Sequence, residues 1–108
     1  MIFANGIFEN KVAVVTGGGT GIGKAISIQF AKLGAKISII HRKKSNVDDG
    51  IKDIGKFGSC LGIQADLRNF DEVENSFKEI INKYGKIDIL VNNAGGQFLA
   101  PIEKISPN

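Results

Sequence analysis

Four short apolar runs alternate along this chain with three segments whose apolar residues recur at helical spacing, and few folds accommodate that order. Lys11-Val-Ala-Val-Val-Thr16 is β-branched, continuously apolar and closed by glycines, which predicts a strand buried on both faces. Ile22, Ala25, Ile26, Phe30 and Leu33 then mark a helical stripe, with Gly34 where a left-handed C-terminal residue belongs. Lys36 to Ile40 reads as a second strand, and Val47, Ile51 and Ile54 as a weaker helical stripe closed by Gly58. A third strand is expected over Cys60 to Ala65. In the next helix Asn69 and Glu72 form a capping box, Val73, Phe77, Ile80, Ile81 and Tyr84 the buried stripe, and Gly85 the stop. Ile87 to Val91 is the fourth strand, and a polar, irregular stretch with Pro101 and Pro107 follows it.

The order β-α-β-α-β-α-β requires right-handed crossovers and a parallel sheet with helices on its faces. That is the first half of a doubly wound α/β fold. In such a sheet the fourth strand crosses to the far side of the first and lies at an open edge. Nothing from Asn92 to Asn108 supplies the next parallel strand. We therefore expect these 108 residues to be the N-terminal part of a longer protein, and expect them alone to dimerise or aggregate through that edge.

Composition narrows the function classes. The length suits one compact domain, and an apolar fraction of 43% with 23% charged residues is the balance of a soluble globular chain. No apolar stretch is long enough to cross a bilayer, and Met1 to Asn10 lack the basic and apolar blocks of a secretory signal. A single cysteine, Cys60, rules out a disulfide framework and fits a reducing compartment, which points to the cytoplasm. The net charge is +3, but the lysines are scattered among acids rather than clustered with aromatics, which argues against a nucleic-acid partner. One histidine and one cysteine make no credible zinc site.

The densest chemical signal is Thr16-Gly-Gly-Gly-Thr-Gly-Ile-Gly23, between a buried strand and an amphipathic helix. Glycines there permit a tight turn and close backbone approach, and the helix start beyond presents free N–H groups and a positive dipole end to a phosphate. Gly18 through Lys24 satisfies the start of a phosphate-loop NTPase pattern, but Ala25 stands where Ser or Thr would hold magnesium. The strict Gly-x-Gly-x-x-Gly fingerprint is also absent. The spacing present, Thr-Gly-x-x-x-Gly-x-Gly, resembles the cofactor motif of the short-chain dehydrogenase/reductase family. Asp66 after the third strand resembles that family's adenine-contacting Asp, and Asn92-Asn-Ala-Gly95 its signature at the end of the fourth strand. Read singly, Asp66 could start a helix and the asparagines could form a turn.

The resemblance implies one NAD(P)-binding Rossmann domain over residues 1–108, incomplete at its C-terminal end. It implies that Gly17, Gly19, Thr20, Gly21, Ile22, Gly23, Asp66, Leu67, Asn93, Ala94 and Gly95 bind the cofactor, with Asn92 structural. An acidic residue at the end of the second strand would accept from both ribose hydroxyls and repel a 2′-phosphate. That place holds His41 and Arg42, then Lys43 and Lys44, with no carboxylate before Asp48. Arg offers a planar fork to phosphate oxygens, so NADPH is expected over NADH. His41 lies at the adenosine end, as a contact or a spectator rather than a catalytic group.

Reduction in this family uses a Tyr-x-x-x-Lys pair on one helix face, the cation stabilising the phenolate. The only tyrosine, Tyr84, has Asp88 four residues on and is a core position, so no catalytic residue is assigned within this chain. The stretch Gly96-Gln-Phe-Leu-Ala-Pro101 resembles the matching loop of 2,4-dienoyl-CoA and peroxisomal trans-2-enoyl-CoA reductases, an NADPH-using branch. An NADPH-dependent reductase of unsaturated acyl-CoA thioesters is thus expected. The alternatives are a 3-oxoacyl-thioester or sugar/alcohol reductase of the same family, and a non-catalytic NADP-binding module. The whole protein is expected to be a homo-oligomer with its contacts beyond Asn108.

Overall fold

The computed structural model describes residues 6–93. The elements run β1 (Val12–Thr16), α1 (Gly21–Lys32), β2 (Lys36–His41), α2 (Lys44–Ile54), β3 (Cys60–Gln64), α3 (Phe70–Tyr84) and β4 (Ile89–Asn92). All pairings are parallel, in the order β3-β2-β1-β4. The fourth strand has crossed to the far side of the first, as the alternation of elements implies.

Strand alternation sorts the apolar side chains into two cores. Val12, Val14, Ile40 and Ile63 pack under Val73, Phe77 and Ile80 of α3. On the opposite face Ala13, Ile37 and Ile39 meet Ala31 of α1 and Ile54 of α2. Val12, Val14, Val15, Ile37, Ile39 and Ile40 are essentially inaccessible. At about 2 kcal/mol of transfer free energy for each, these six side chains supply a large share of the apolar stabilisation. The residues of β4 are only partly buried or exposed.

Two local expectations are corrected. The helix α1 buries only part of its apolar stripe: Ile22 is 73% exposed and Ala25 is exposed, Ile26, Phe30 and Leu33 are half-buried with Phe30 against the core, and the fully buried positions are Gly23, Ser27 and Ala31. Small residues let the helix axis lie close to the sheet, and Ser27 satisfies its hydroxyl on the Gly23 carbonyl at 2.8 Å. The helix α2 ends at Gly55, in right-handed helical conformation, and not at Gly58. By contrast, Gly34 and Gly85 both take the left-handed φ expected after a helix, at 103° and 84°. No helix among the described residues is long and apolar enough to cross a membrane.

Candidate cofactor site

The C-terminal ends of β1 and β4 lie side by side, and α1 departs from the first of them. This is the topological switch point, where an open α/β sheet leaves a crevice for a ligand. The loop from Thr16 to α1 enters that crevice with Gly17 at φ 66° and Gly21 at φ 53°. The N-cap Thr20 makes no side-chain capping bond, and the first turn of α1 carries no acid. Its leading amides, those of Gly21, Ile22 and Gly23, have no intrahelical acceptor and so offer an anion site. Gly23 is required by crowding: a Cβ there would strike the Gly17 carbonyl and lie 2.6 Å from Asn93 Nδ2.

The Thr16 hydroxyl ties the two strand ends together. It accepts from the Asn93 N–H at 2.9 Å and lies 3.1 Å from Asn92 Oδ1 and 3.3 Å from the Val91 carbonyl, either of which can take its proton. Asn92 is thus engaged in holding β4 to β1, and the Asn93 side chain lies over Gly23. The remaining expected contacts of this signature, Ala94 and Gly95, lie outside the described residues, as does the loop from Gly96 onward.

At the end of β2, His41 Nε2 accepts the Gly19 N–H at 2.8 Å. Burial lowers the His41 pKa, with the Gly17 backbone acting in the opposite direction. Arg42 is exposed, and its carbonyl accepts from Gln64 Nε2 at 3.1 Å, which pins its backbone to β3. Lys44 pairs with Asp48 across one helical turn at 2.9 Å.

Beyond β3, the Asp66 carboxylate accepts from Arg68 Nε at 3.0 Å, Arg68 Nη2 at 2.9 Å and the Arg68 N–H at 2.9 Å. The Arg68 bonds hold the Asp66 pKa at about 2, with a smaller contribution from the charge of Arg42. Arg68 has no signal in the sequence motif; only its spacing of two from Asp66 could have suggested an Asx turn. The Asp66 N–H donates to Glu72 Oε1 at 3.0 Å, so the capping box is half-formed: Asn69 Oδ1 accepts the Glu72 N–H, but the Glu72 side chain turns to Asp66. Leu67 packs its side chain against the α3-side core.

The glycine loop, His41 and Asn93 are therefore brought into direct contact, with Arg42 and Asp66 on the neighbouring strand ends. Lys24 is turned away, in a 2.6 Å ion pair with Asp53 of α2, and is no phosphate-loop lysine. Tyr84 lies at the opposite end of the sheet, its hydroxyl 2.7 Å from Ser59 Oγ and 3.5 Å from the Ile37 carbonyl, and burial raises its pKa. Among the described residues no group of three or more His, Cys, Asp or Glu is placed to hold a metal ion.

Residues 11–108 match the short chain dehydrogenase family. The chain is 44% identical over 110 residues to a probable 2,4-dienoyl-CoA reductase 3 of Caenorhabditis elegans, covering 99% of this chain and 36% of that protein. It is 40% identical over 107 residues to a peroxisomal 2,4-dienoyl-CoA reductase of Arabidopsis thaliana, covering 98% and 36%. A short chain dehydrogenase structure from Bacillus anthracis superposes with a TM-score of 0.78 at 40% identity, over 93% of this chain and 41% of that one. The chain thus spans little more than a third of the length of the curated relatives it matches. With the glycine loop, the Asn-Asn corner and the β3-β2-β1-β4 order in place, the chain belongs to the short-chain dehydrogenase family.

Proposed function

We propose that this chain holds the dinucleotide of an NADPH-dependent oxidoreductase that reduces unsaturated acyl-CoA thioesters. The observation that carries the reading is the junction of the glycine loop, Asn93 and a carboxylate-free, basic β2 end at one crevice. The fit to a dinucleotide rests on two features: the uncapped first turn of α1, and the glycine positions that any Cβ would fill. The amides of Gly21, Ile22 and Gly23 would hold the phosphates, with Gly17, Gly19 and Thr20 shaping the turn behind them. Arg42, beside His41, would hold the 2′-phosphate, and Asp66 with Leu67 would border the adenine. Asn93, Ala94 and Gly95 would line the cofactor where β4 ends. Bound there, the cofactor supplies a hydride.

The acyl-CoA substrate class is supported by the names of the two relatives and by the resemblance of the stretch Gly96–Pro101. No side chain here is assigned as the proton donor. A reducing, cytoplasmic setting goes with the partly buried Cys60 thiol, and a homo-oligomer with the family.

Titration of the intact protein with NADPH and NADH tests the cofactor. NADPH is expected to bind more tightly, and Arg42→Glu to weaken NADPH by about tenfold or more while sparing NADH, since a charge-assisted phosphate bond contributes roughly 1.5–3 kcal/mol. Equal affinities for the two cofactors would remove the assignment. Consumption of NADPH with 2-enoyl-, 2,4-dienoyl- and 3-oxoacyl-CoA tests the substrate class. Turnover with the 3-oxoacyl thioester alone would move the assignment to a carbonyl reductase.

A further inference from the structure

His41 is the only histidine of the chain, and its ring is committed to the glycine loop. With Nε2 accepting the Gly19 N–H, the neutral imidazole must carry its proton on Nδ1. Gly19 is also enclosed from the α2 side. A Cβ on Gly19 would strike the Asn46 carbonyl and lie 2.9 Å from His41 Cδ2, and a Cβ on Gly50 would lie 2.7 Å from Gly19 Cα. The Gly19 peptide is therefore clasped between the imidazole and the first turns of α2. It sits in the middle of the most conformationally free stretch of the chain, and ordering such a stretch on binding costs affinity.

We propose that His41 is a positioning residue for the dinucleotide phosphates, acting through Gly19 rather than by touching the cofactor. The imidazole takes the Gly19 amide out of the set of free donors and fixes the orientation of its peptide. The first-turn amides of α1 then remain as the anion site. Because Arg42 is the next residue, the same contact holds its backbone at a fixed distance from the loop. The inference rests on the dinucleotide reading above.

The test compares two variants of the intact protein. His41→Gln keeps an acceptor near the position of Nε2, whereas His41→Leu keeps bulk and removes it. The dissociation constant for NADPH is expected to rise by about tenfold in His41→Leu and to stay within about threefold of wild type in His41→Gln, the span of one lost hydrogen bond. Nitrogen NMR of the wild-type imidazole is expected to report the Nδ1–H tautomer. Wild-type affinity in His41→Leu, or tighter binding through a freed Gly19 amide, overturns the proposal. So does an Nε2–H tautomer. A wild-type protein that binds no dinucleotide overturns the reading beneath it instead, and the tautomer still decides whether His41 holds Gly19. If His41→Leu does not fold, the wild-type tautomer and the His41→Gln affinity decide.

Discussion

Asp66 and Arg68 stand two residues apart, and their fork of three hydrogen bonds governs how the end of β3 responds to acid. The Asp66 pKa of about 2 lies below the ordinary carboxylate range. The folded state therefore favours the ionised form, and the stabilisation is present above the unfolded carboxylate range and lost as pH falls through about 2. Arg68→Ala removes the guanidinium but keeps the backbone N–H, so it should raise the Asp66 titration, followed by carboxyl NMR, part of the way to the ordinary range. A titration that stays near 2 in that variant would assign the shift to other groups. Cys60 shows the opposite perturbation: burial pushes its thiol up to about 12. A thiol held up in this way reacts slowly, so thiol reagents should label it much more slowly in native buffer than they label a free thiol. Labelling in native buffer as fast as a free thiol would contradict that environment.

Elements were largely legible in the sequence because their signals are local. Continuous β-branched runs marked β1 and β2, and Asn69 and Gly85 bounded α3 where the structure places its caps. The fully buried line of α1 was not legible, although Phe30 of its apolar stripe does reach the core, because that line is chosen by closeness rather than apolarity: Gly23, Ser27 and Ala31 allow an approach that larger side chains there would prevent. The site divides the same way. Gly17 to Gly23 and Asn93 announce themselves by spacing, whereas the His41–Gly19 bond and the Arg68 fork depend on side-chain directions that no spacing encodes. Gly50 tests the coupling between α2 and the loop. A Cβ there would strike Ile39 Cδ1, whose tip can move, and would crowd the Gly19 backbone, which cannot move without shifting the loop. Replacing a mid-helix glycine by alanine gains about 1 kcal/mol in propensity, while overpacking costs about 1–3 kcal/mol. Gly50→Ala should therefore lose roughly 0–2 kcal/mol, with a thermal midpoint that falls modestly, while NADPH affinity falls several-fold. Unchanged affinity would mean that α2 sits independently of the loop.

At the scale of the whole molecule, burial is uneven across the sheet, and the imbalance predicts behaviour. The strand β1 is enclosed on both faces and both edges, because it pairs with β2 and with β4. The strand β4 is anchored at its start by Asp88, whose carboxylate accepts the Val12 N–H at 2.9 Å, and at its end by Thr16. Between these anchors Ile89, Leu90 and Val91 are only partly buried, and among the described residues the outer edge of β4 pairs with no strand. An apolar edge with a row of unpaired N–H and C=O groups is a template for another chain, and Lys on such an edge is a common deterrent. The 108-residue chain by itself should therefore show a mass that rises with concentration in sedimentation equilibrium, and Val91→Lys should reduce that rise without unfolding the β1–β2 core. A concentration-independent monomer would mean that β4 is already covered, and the edge would then carry no drive for association.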